Sequence, residues 1–230
     1  MYGYGYRYNS GLVIGAGGGA PFANTKSLSF DGMDDRLGIG TALSLGTNST
    51  ISFWIKRDRV NFDEILLGEN TYAYKYTSYI TSTNHLKFQI GTIEKAFNGF
   101  SIAAILNDTT NWINICFVRS GDSVELFLNG ASMQTHIGYG TLIDTRFDTI
   151  GATPLSAAPF LGNIDEVCAF NRVATPTEIV TLSTAPTVNL SSLNPISWYR
   201  NGDGDTYPTI TDNGSGGNNG TMTNMDAGDI

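Results

Sequence analysis

Charge is scarce in this sequence. Only 15% of its 230 residues are Asp, Glu, Lys or Arg, against about 25% in ordinary soluble domains, which excludes long solvated helices and coiled coils. Cations are scarcer still: 13 Lys and Arg face 21 Asp and Glu, for a net charge of −8. Phosphate backbones are bound by clustered Lys and Arg, so nucleic acid is excluded as a partner. The two histidines, His85 and His136, both lie in polar surroundings that read as surface or loop. The two cysteines, Cys116 and Cys168, cannot make a disulfide framework. Both fall in strand-like runs and read as buried free thiols, to be bridged only if their strands adjoin. No apolar run approaches the roughly 18 residues of a membrane span. The first residues, Met1-Tyr-Gly-Tyr-Gly-Tyr-Arg-Tyr8, lack the apolar stretch of a secretion signal. No membrane insertion is expected.

Glycine, by contrast, is abundant at 27 residues, and aromatics reach 11%. Residues 1–26 form an arm in which Tyr2, Tyr4, Tyr6 and Tyr8 are spaced through glycine, followed by the run Gly15-Ala-Gly-Gly-Gly-Ala20. Nothing there repeats at a helical or strand period, so the arm is either disordered or laid over a partner. The tyrosines favour the partner and are read as interface residues, because large rings give contact area at small entropic cost. From Ser27 the pattern becomes period two. Leu28 and Phe30 share one face; so do Ile51, Phe53 and Ile55, with Trp54 on the other side. Ile113, Ile115 and Phe117 repeat it, and Val124, Leu126 and Leu128 return after a turn at Arg119-Ser-Gly-Asp122. Asn129-Gly130 is a hairpin signal, since both residues tolerate positive φ. Such alternation at short spacing predicts antiparallel sheets packed face to face. One helix is written clearly: Thr175-Pro-Thr-Glu178 is a capping box with proline at the first helical position. Residues 185–230 read as a linker and an extended segment, too polar and too small to fold alone.

Three segments together resemble the laminin-G-like modules of the concanavalin A-like lectin/glucanase superfamily. Ser27-Leu-Ser-Phe-Asp-Gly-Met-Asp-Asp35 resembles their opening strand, and Ser123-Val-Glu-Leu-Phe-Leu-Asn-Gly130 their central hairpin. Phe160-Leu-Gly-Asn-Ile-Asp-Glu-Val-Cys-Ala-Phe-Asn-Arg172 resembles their closing strand. The resemblance implies an all-β, two-sheet jelly roll over residues 27–184, with one short helix on the C-terminal side and extended terminal arms. The tail resembles a segment that precedes the opening strand in such modules. It therefore completes its own sheet in a permuted chain or is donated to a neighbour, with Trp198 and Tyr199 as candidate interface residues. The two ends also resemble those of structural proteins from tailed bacteriophages of marine bacteria. That second resemblance implies a virion protein, a capsid decoration or fibre subunit on the particle surface, touching other virion subunits and standing as a homotrimer.

No catalytic set emerges. The Glu-x-Asp-x-x-Glu strand of the superfamily's glucanases is absent. The nearest carboxylate pairs, Asp63-Glu64 and Asp165-Glu166, are adjacent residues that a strand points to opposite faces unless a bulge intervenes. No Gly-x-Ser-x-Gly elbow exists, and the glycine run at 15–20 leads into Pro21 instead of a helix, so it is no dinucleotide site. Related jelly rolls hold a structural calcium where first and last strands meet, and the resemblance places Asp31 and Asp165 there, with Asp34, Asp35 and Glu166 nearby. The alternative for Asp31 is plain turn capping. Asn201, Asp203, Asp205 and Asp212 fall at EF-hand-like spacing, but Thr206 replaces the obligatory glycine, which favours a polar turn. Trp54, Tyr72, Tyr74 and Tyr76 are the aromatic candidates for stacking on cell-surface glycans, or for a core or subunit interface. A carbohydrate-binding adhesin is thus the second functional reading beside the virion subunit.

Overall fold

Period-two patterning from Leu28 onward builds a β-sandwich in the computed structural model, which describes residues 24–69, 75–154 and 158–230. The strands are β1 (Leu28–Asp31), β2 (Arg36–Ser44), β3 (Asn48–Arg57), β4 (Glu64–Glu69), β5 (Lys75–Ile80), β6 (Leu86–Ile90) and β7 (Ile93–Phe97). They continue with β8 (Ile113–Ser120), β9 (Ser123–Leu128), β10 (Ala131–Ile137), β11 (Arg146–Ile150) and β12 (Leu161–Phe170). The tail supplies β13 (Ser197–Tyr199), β14 (Thr209–Ile210) and β15 (Gly220–Thr223). Two short helices, α1 (Phe100–Leu106) and α2 (Pro176–Leu182), join them.

One sheet has seven strands in the order β1-β12-β3-β8-β9-β10, with β13 also paired to β12. The other has eight, in the order β14-β15-β2-β11-β4-β5-β6-β7. Every named pairing is antiparallel. The inward residues of each alternating run meet in one core: Leu28, Phe30, Ile51, Phe53, Ile55, Ile113, Ile115, Phe117, Val124, Leu126 and Leu128 are all buried there. Asn129 and Gly130 take φ of 49° and 77°, as a two-residue hairpin requires. At α2 the Thr175 hydroxyl accepts from the Glu178 amide while the Glu178 carboxylate accepts from the Thr175 amide, the reciprocal cap written in the sequence.

Two sequence expectations need correction, and of the alternatives open for Trp54 burial is the one found. A second helix, α1, was not foreseen; its N-cap is Gly99, which offers no side-chain cap, and Phe-Ser-Ile-Ala-Ala-Ile-Leu has no start signal. Trp198 and Tyr199 are not presented to a partner. Tyr199 lies in the main core, its hydroxyl donating to the Asn218 carbonyl (2.6 Å), and Trp198 packs in a second apolar cluster. Trp54 points away from the main core but is buried. Its cross-strand neighbours are Asn114 and Asp165. Asn114 donates to the Leu182 carbonyl (3.2 Å) and Asp165 accepts from Asn24 (3.2 Å), so the end of α2 and the start of the described chain close over this stretch.

That second cluster is a third layer. Ile179 and Leu182 of α2, with Leu190 and Trp198 from the following segment, cover Cys116, Val118, Cys168 and Phe170 on the outer face of the seven-stranded sheet. The tail then runs in the sheets of its own chain: β13 pairs with β12, and β15 with β2. Cys116 and Cys168 both face Ser52 from opposite sides of β3. Two strand spacings put their Cα atoms about 9.6 Å apart, beyond the ~7 Å reach of a disulfide. Both thiols are free and buried, and burial pushes that of Cys116 up to about 12. Thiol titration is expected to find no reactive cysteine in the native protein and two after unfolding under non-reducing conditions; one or none after unfolding contradicts this register.

Candidate functional site

At one rim of the sandwich four loops converge on an open cleft of about 380 Å³. The β1–β2 loop brings Gly32, the β3–β4 loop Arg59, Asn61, Phe62 and Asp63, the β5–β6 turn Ser82, and the β11–β12 loop Ala158 and Pro159. Gly32 is required for close approach: its φ is 75°, and a Cβ there would lie 3.0 Å from that of Leu161. Phe62 stands at the mouth, 54% exposed, with the Arg59 guanidinium 4.7 Å from its ring centroid. Arg59 in turn donates to Glu64 (2.9 Å) and to the Pro159 carbonyl. The Asp63 carboxylate accepts from the Ser82 amide (2.6 Å) and from the Tyr79 hydroxyl, and these two donors hold it below the usual carboxylate range. An aromatic platform ringed by a carboxylate, an amide, a hydroxyl and a guanidinium is the chemistry that holds a sugar by stacking on C–H groups and hydrogen bonding to hydroxyls.

The loops are pinned from beneath by a buried polar network. Arg57 and Glu64, each fully buried, pair at 2.8 Å. Arg57 also donates to Asn84 (3.1 Å) and to the carbonyl of Leu106 at the end of α1. Asn84 passes the network on to Asn61 (3.1 Å) and Asn107 (2.8 Å). Burial lowers the Arg57 pKa and the Glu64 charge opposes that shift, so removing either partner leaves a buried polar group uncompensated. The cleft walls therefore rest on fixed ground, and a ligand meets them already shaped.

The proposed meeting of Asp31 with Asp165 does not form. Asp31 pairs across from Leu161, four residues along β12 from Asp165, a separation of roughly 13 Å. Asp31 instead gathers with Asp34 and Asp35, their carboxylate oxygens within 4.8 Å of one another. Asp31 caps the turn by accepting from the Met33 amide (2.8 Å), and Asp35, pushed up to about 6 chiefly by burial, accepts from the Asp31 amide (2.9 Å). Asp165 belongs with Glu166 at a bulge in β12 where Glu166 takes φ of 50°. Bulging is what lets these adjacent residues share one side. Burial pushes both carboxyls up to about 8.

The Glu166 amide donates to Asp165 (2.7 Å), and the Arg200 charge acts on Glu166. The Asn24 amide nitrogen faces Asp165 (3.2 Å), Glu166 (2.7 Å) and the Pro186 carbonyl, three acceptors for two hydrogens, while its Oδ1 has no partner. Trp198 Nε1 donates to Glu166. Nearby, Asn201 donates to the Ile164 carbonyl (2.9 Å) and leaves its own Oδ1 unpartnered. Converging oxygens about a point now held by a single NH2 fit the all-oxygen coordination of calcium.

Other candidates separate. Tyr72 and Tyr74, like Tyr2, Tyr4, Tyr6 and Tyr8, lie outside the described residues. Tyr76 is half-buried, stacked on Tyr79 at 4.6 Å. The EF-hand-like residues do not converge: Asp203 accepts from the Thr25 and Lys26 amides, Asp205 from those of Gly202 and Thr211, and Asp212 from those of Trp198, Gly214 and Asn218. Asp203 thus ties the tail to the segment before β1, while Asp205 and Asp212 hold loops of the tail itself. Sequence reasoning missed Arg59, Asn61 and Phe62; their signal was a lone aromatic flanked by Asn and Asp between two strands.

With the geometry in hand, the profile of the concanavalin A-like lectin/glucanases superfamily matches residues 31–180. Among solved structures, a Bacteroides ovatus protein assigned to carbohydrate binding superposes with a TM-score of 0.65 at 17% identity, over 90% of this chain and 60% of that one. The heptameric SAP-like pentraxin of Limulus polyphemus superposes at 0.52 with 14% identity, over 68% of this chain and 81% of the other. The present chain thus spans only 60% of the length of the Bacteroides relative. No match was found among curated proteins.

Proposed function

The chain belongs to the concanavalin A-like lectin/glucanases superfamily, and on that premise we propose that it is a carbohydrate-binding protein whose ligand occupies the rim cleft. The carrying observation is Phe62, half-exposed at the mouth of a polar cleft and backed by a guanidinium. What marks this ring out is its setting, since Asn61, Asp63, Ser82 and Arg59 line the same cleft and give a sugar hydroxyl partners beside the face on which it stacks. Binding, not cleavage, is proposed because Asp63 is the sole carboxylate among the described residues lining the cleft, and glycoside hydrolysis uses two that flank the bond. Calcium is proposed as a structural ion at Asp165 and Glu166, on the far side of the seven-stranded sheet from the main core. A glycan array tests the function: binding is expected, and Phe62→Ala should weaken it about tenfold or more, the scale of one lost aromatic contact. Equal binding by the variant removes the cleft from the account.

A second reading makes the same jelly roll a bacteriophage virion subunit, a capsid decoration or fibre protein displayed on the particle surface as a homotrimer. Its support is the resemblance of the Gly/Tyr arm, Met1–Tyr8, and of the Gly-Asp-Gly-Asp tail to the ends of such structural proteins. Cross-links from Tyr2–Tyr8 to other subunits in a purified particle would support it; cross-links confined to the same chain would not. The two readings are compatible, as host-glycan recognition from a virion.

A further inference from the structure

The rim cleft does not end at Asp63. On the outer face of the eight-stranded sheet, Tyr79 stands across from Lys87, while its neighbour Ile80 and the partner Leu86 point into the core. Tyr76 stacks on Tyr79 with ring centroids 4.6 Å apart and planes 22° off parallel. Both hydroxyls are tethered: that of Tyr79 donates to Asp63, that of Tyr76 to Glu94. Lys87 completes the group, 2.7 Å from Glu94 and 5.9 Å from the Tyr79 ring centroid. One carboxylate, Asp63, thus serves both the cleft that holds Phe62 and the tyrosine pair. The result is a continuous strip of rings and polar groups, prealigned by its own hydrogen bonds, so a ligand would order little on binding.

Charge narrows the ligand class. Among the described residues the cleft is lined by one cation, Arg59, whose guanidinium is already engaged by Glu64 and the Pro159 carbonyl, and the tyrosine pair adds Lys87, which is paired with Glu94 (2.7 Å). The Gly32 wall belongs to the loop bearing Asp31, Asp34 and Asp35, and the whole chain carries −8. A carboxylated sugar would approach through this negative field with no free cation to receive it.

We infer that the ligand is an uncharged oligosaccharide of at least two sugar residues, running from Phe62 past Asp63 onto the Tyr76–Tyr79 pair. This rests on the carbohydrate reading of the cleft and adds length and charge to it.

Calorimetric titration of the full chain with cello-, malto-, laminari- and manno-oligosaccharides of one to six units, and with sialyllactose and oligogalacturonate, tests it. In at least one neutral series affinity should rise about tenfold from one unit to three and then level, the gain expected of a further stacked ring. Acidic sugars should bind at least as much weaker. Lys87→Ala, a surface change, should flatten the length dependence and leave single-sugar affinity intact. Tyr79→Ala should flatten it too, and because its hydroxyl holds Asp63 it should also weaken single-sugar binding, with its fold checked by circular dichroism. Equal affinity for one unit and six, length dependence unaltered in Lys87→Ala and Tyr79→Ala, or preference for an acidic sugar overturns the inference while leaving a cleft that binds sugar. Absence of binding to every probe, or binding indifferent to Phe62→Ala, overturns the cleft reading itself.

Discussion

Glu64→Ala is expected to cost about 3–5 kcal/mol of stability, because it strands the guanidinium of Arg57 in a fully buried site. For a chain of this size that corresponds to a fall in Tm of roughly 10 °C. The loss has two parts. Arg57 keeps its bonds to Asn84 and the Leu106 carbonyl but loses the only carboxylate that offsets its burial. Arg59 loses the same carboxylate, and with it the contact that seats its guanidinium under Phe62. Glycan affinity should therefore fall along with Tm, even though Glu64 does not line the cleft. The double variant Arg57→Met with Glu64→Leu should recover most of the stability, since apolar side chains of similar size replace both ions. Chemical denaturation reads both quantities. A single-variant loss below about 1 kcal/mol would mean that water reaches the pair and that its weight is that of a surface ion pair.

The second large effect is expected at Asp165 and Glu166. Their carboxyls sit at about 8 in the folded chain against ordinary values near 4 when unfolded. A raised folded pKa contributes stability that is complete below the unfolded value and is lost as pH climbs through the folded one. In EDTA the Tm should therefore decline between about pH 5 and 8.5, the two groups titrating as a pair. Calcium favours the ionised forms and should remove the decline. At a hundredfold excess over its Kd it should add about 2.7 kcal/mol at pH 8. Asp165→Asn mimics the protonated acid, so it should raise Tm in EDTA at pH 8 and abolish the calcium response. Asp31→Ala should leave that response intact, since Asp31 lies about four residues along the strand from the pair. A Tm flat with pH in EDTA and indifferent to calcium would remove both the charge pair and the ion from the account.

Much of the fold was legible because period two is a strong signal where one face is buried. Leu28, Phe53, Ile115 and Leu126 all point as their spacing says, and the Thr175–Glu178 cap stands where it is written. What escaped was the third layer. Cys116, Val118, Cys168 and Phe170 make the outer face of β8 and β12 apolar as well, the pattern of a sheet covered on both sides. Taken at face value, that pattern would have buried Trp54 and Trp198 from the start. Helix α1 escaped because glycine caps it without a side-chain bond.

The site was less legible, for a physical reason. Its residues come from four loops separated by up to about 130 positions, and loops carry no period. In sequence Asp63-Glu64 reads as a carboxylate pair and nothing more. In the fold the two diverge, Glu64 inward to Arg57 and Arg59, Asp63 outward to Ser82 and Tyr79. Asp165-Glu166 does the reverse, because a bulge turns both carboxylates toward Asn24. No rule of alternation anticipates a bulge.

The most direct test is an amide chemical-shift footprint of the 15N-labelled chain titrated with the tightest neutral oligosaccharide. The account predicts that saturation shifts Gly32, Arg59, Asn61, Phe62, Asp63 and Ser82, and extends to Tyr79 and Lys87 as the oligosaccharide lengthens. Shifts confined to another face of the sandwich, with these amides unmoved, would contradict it.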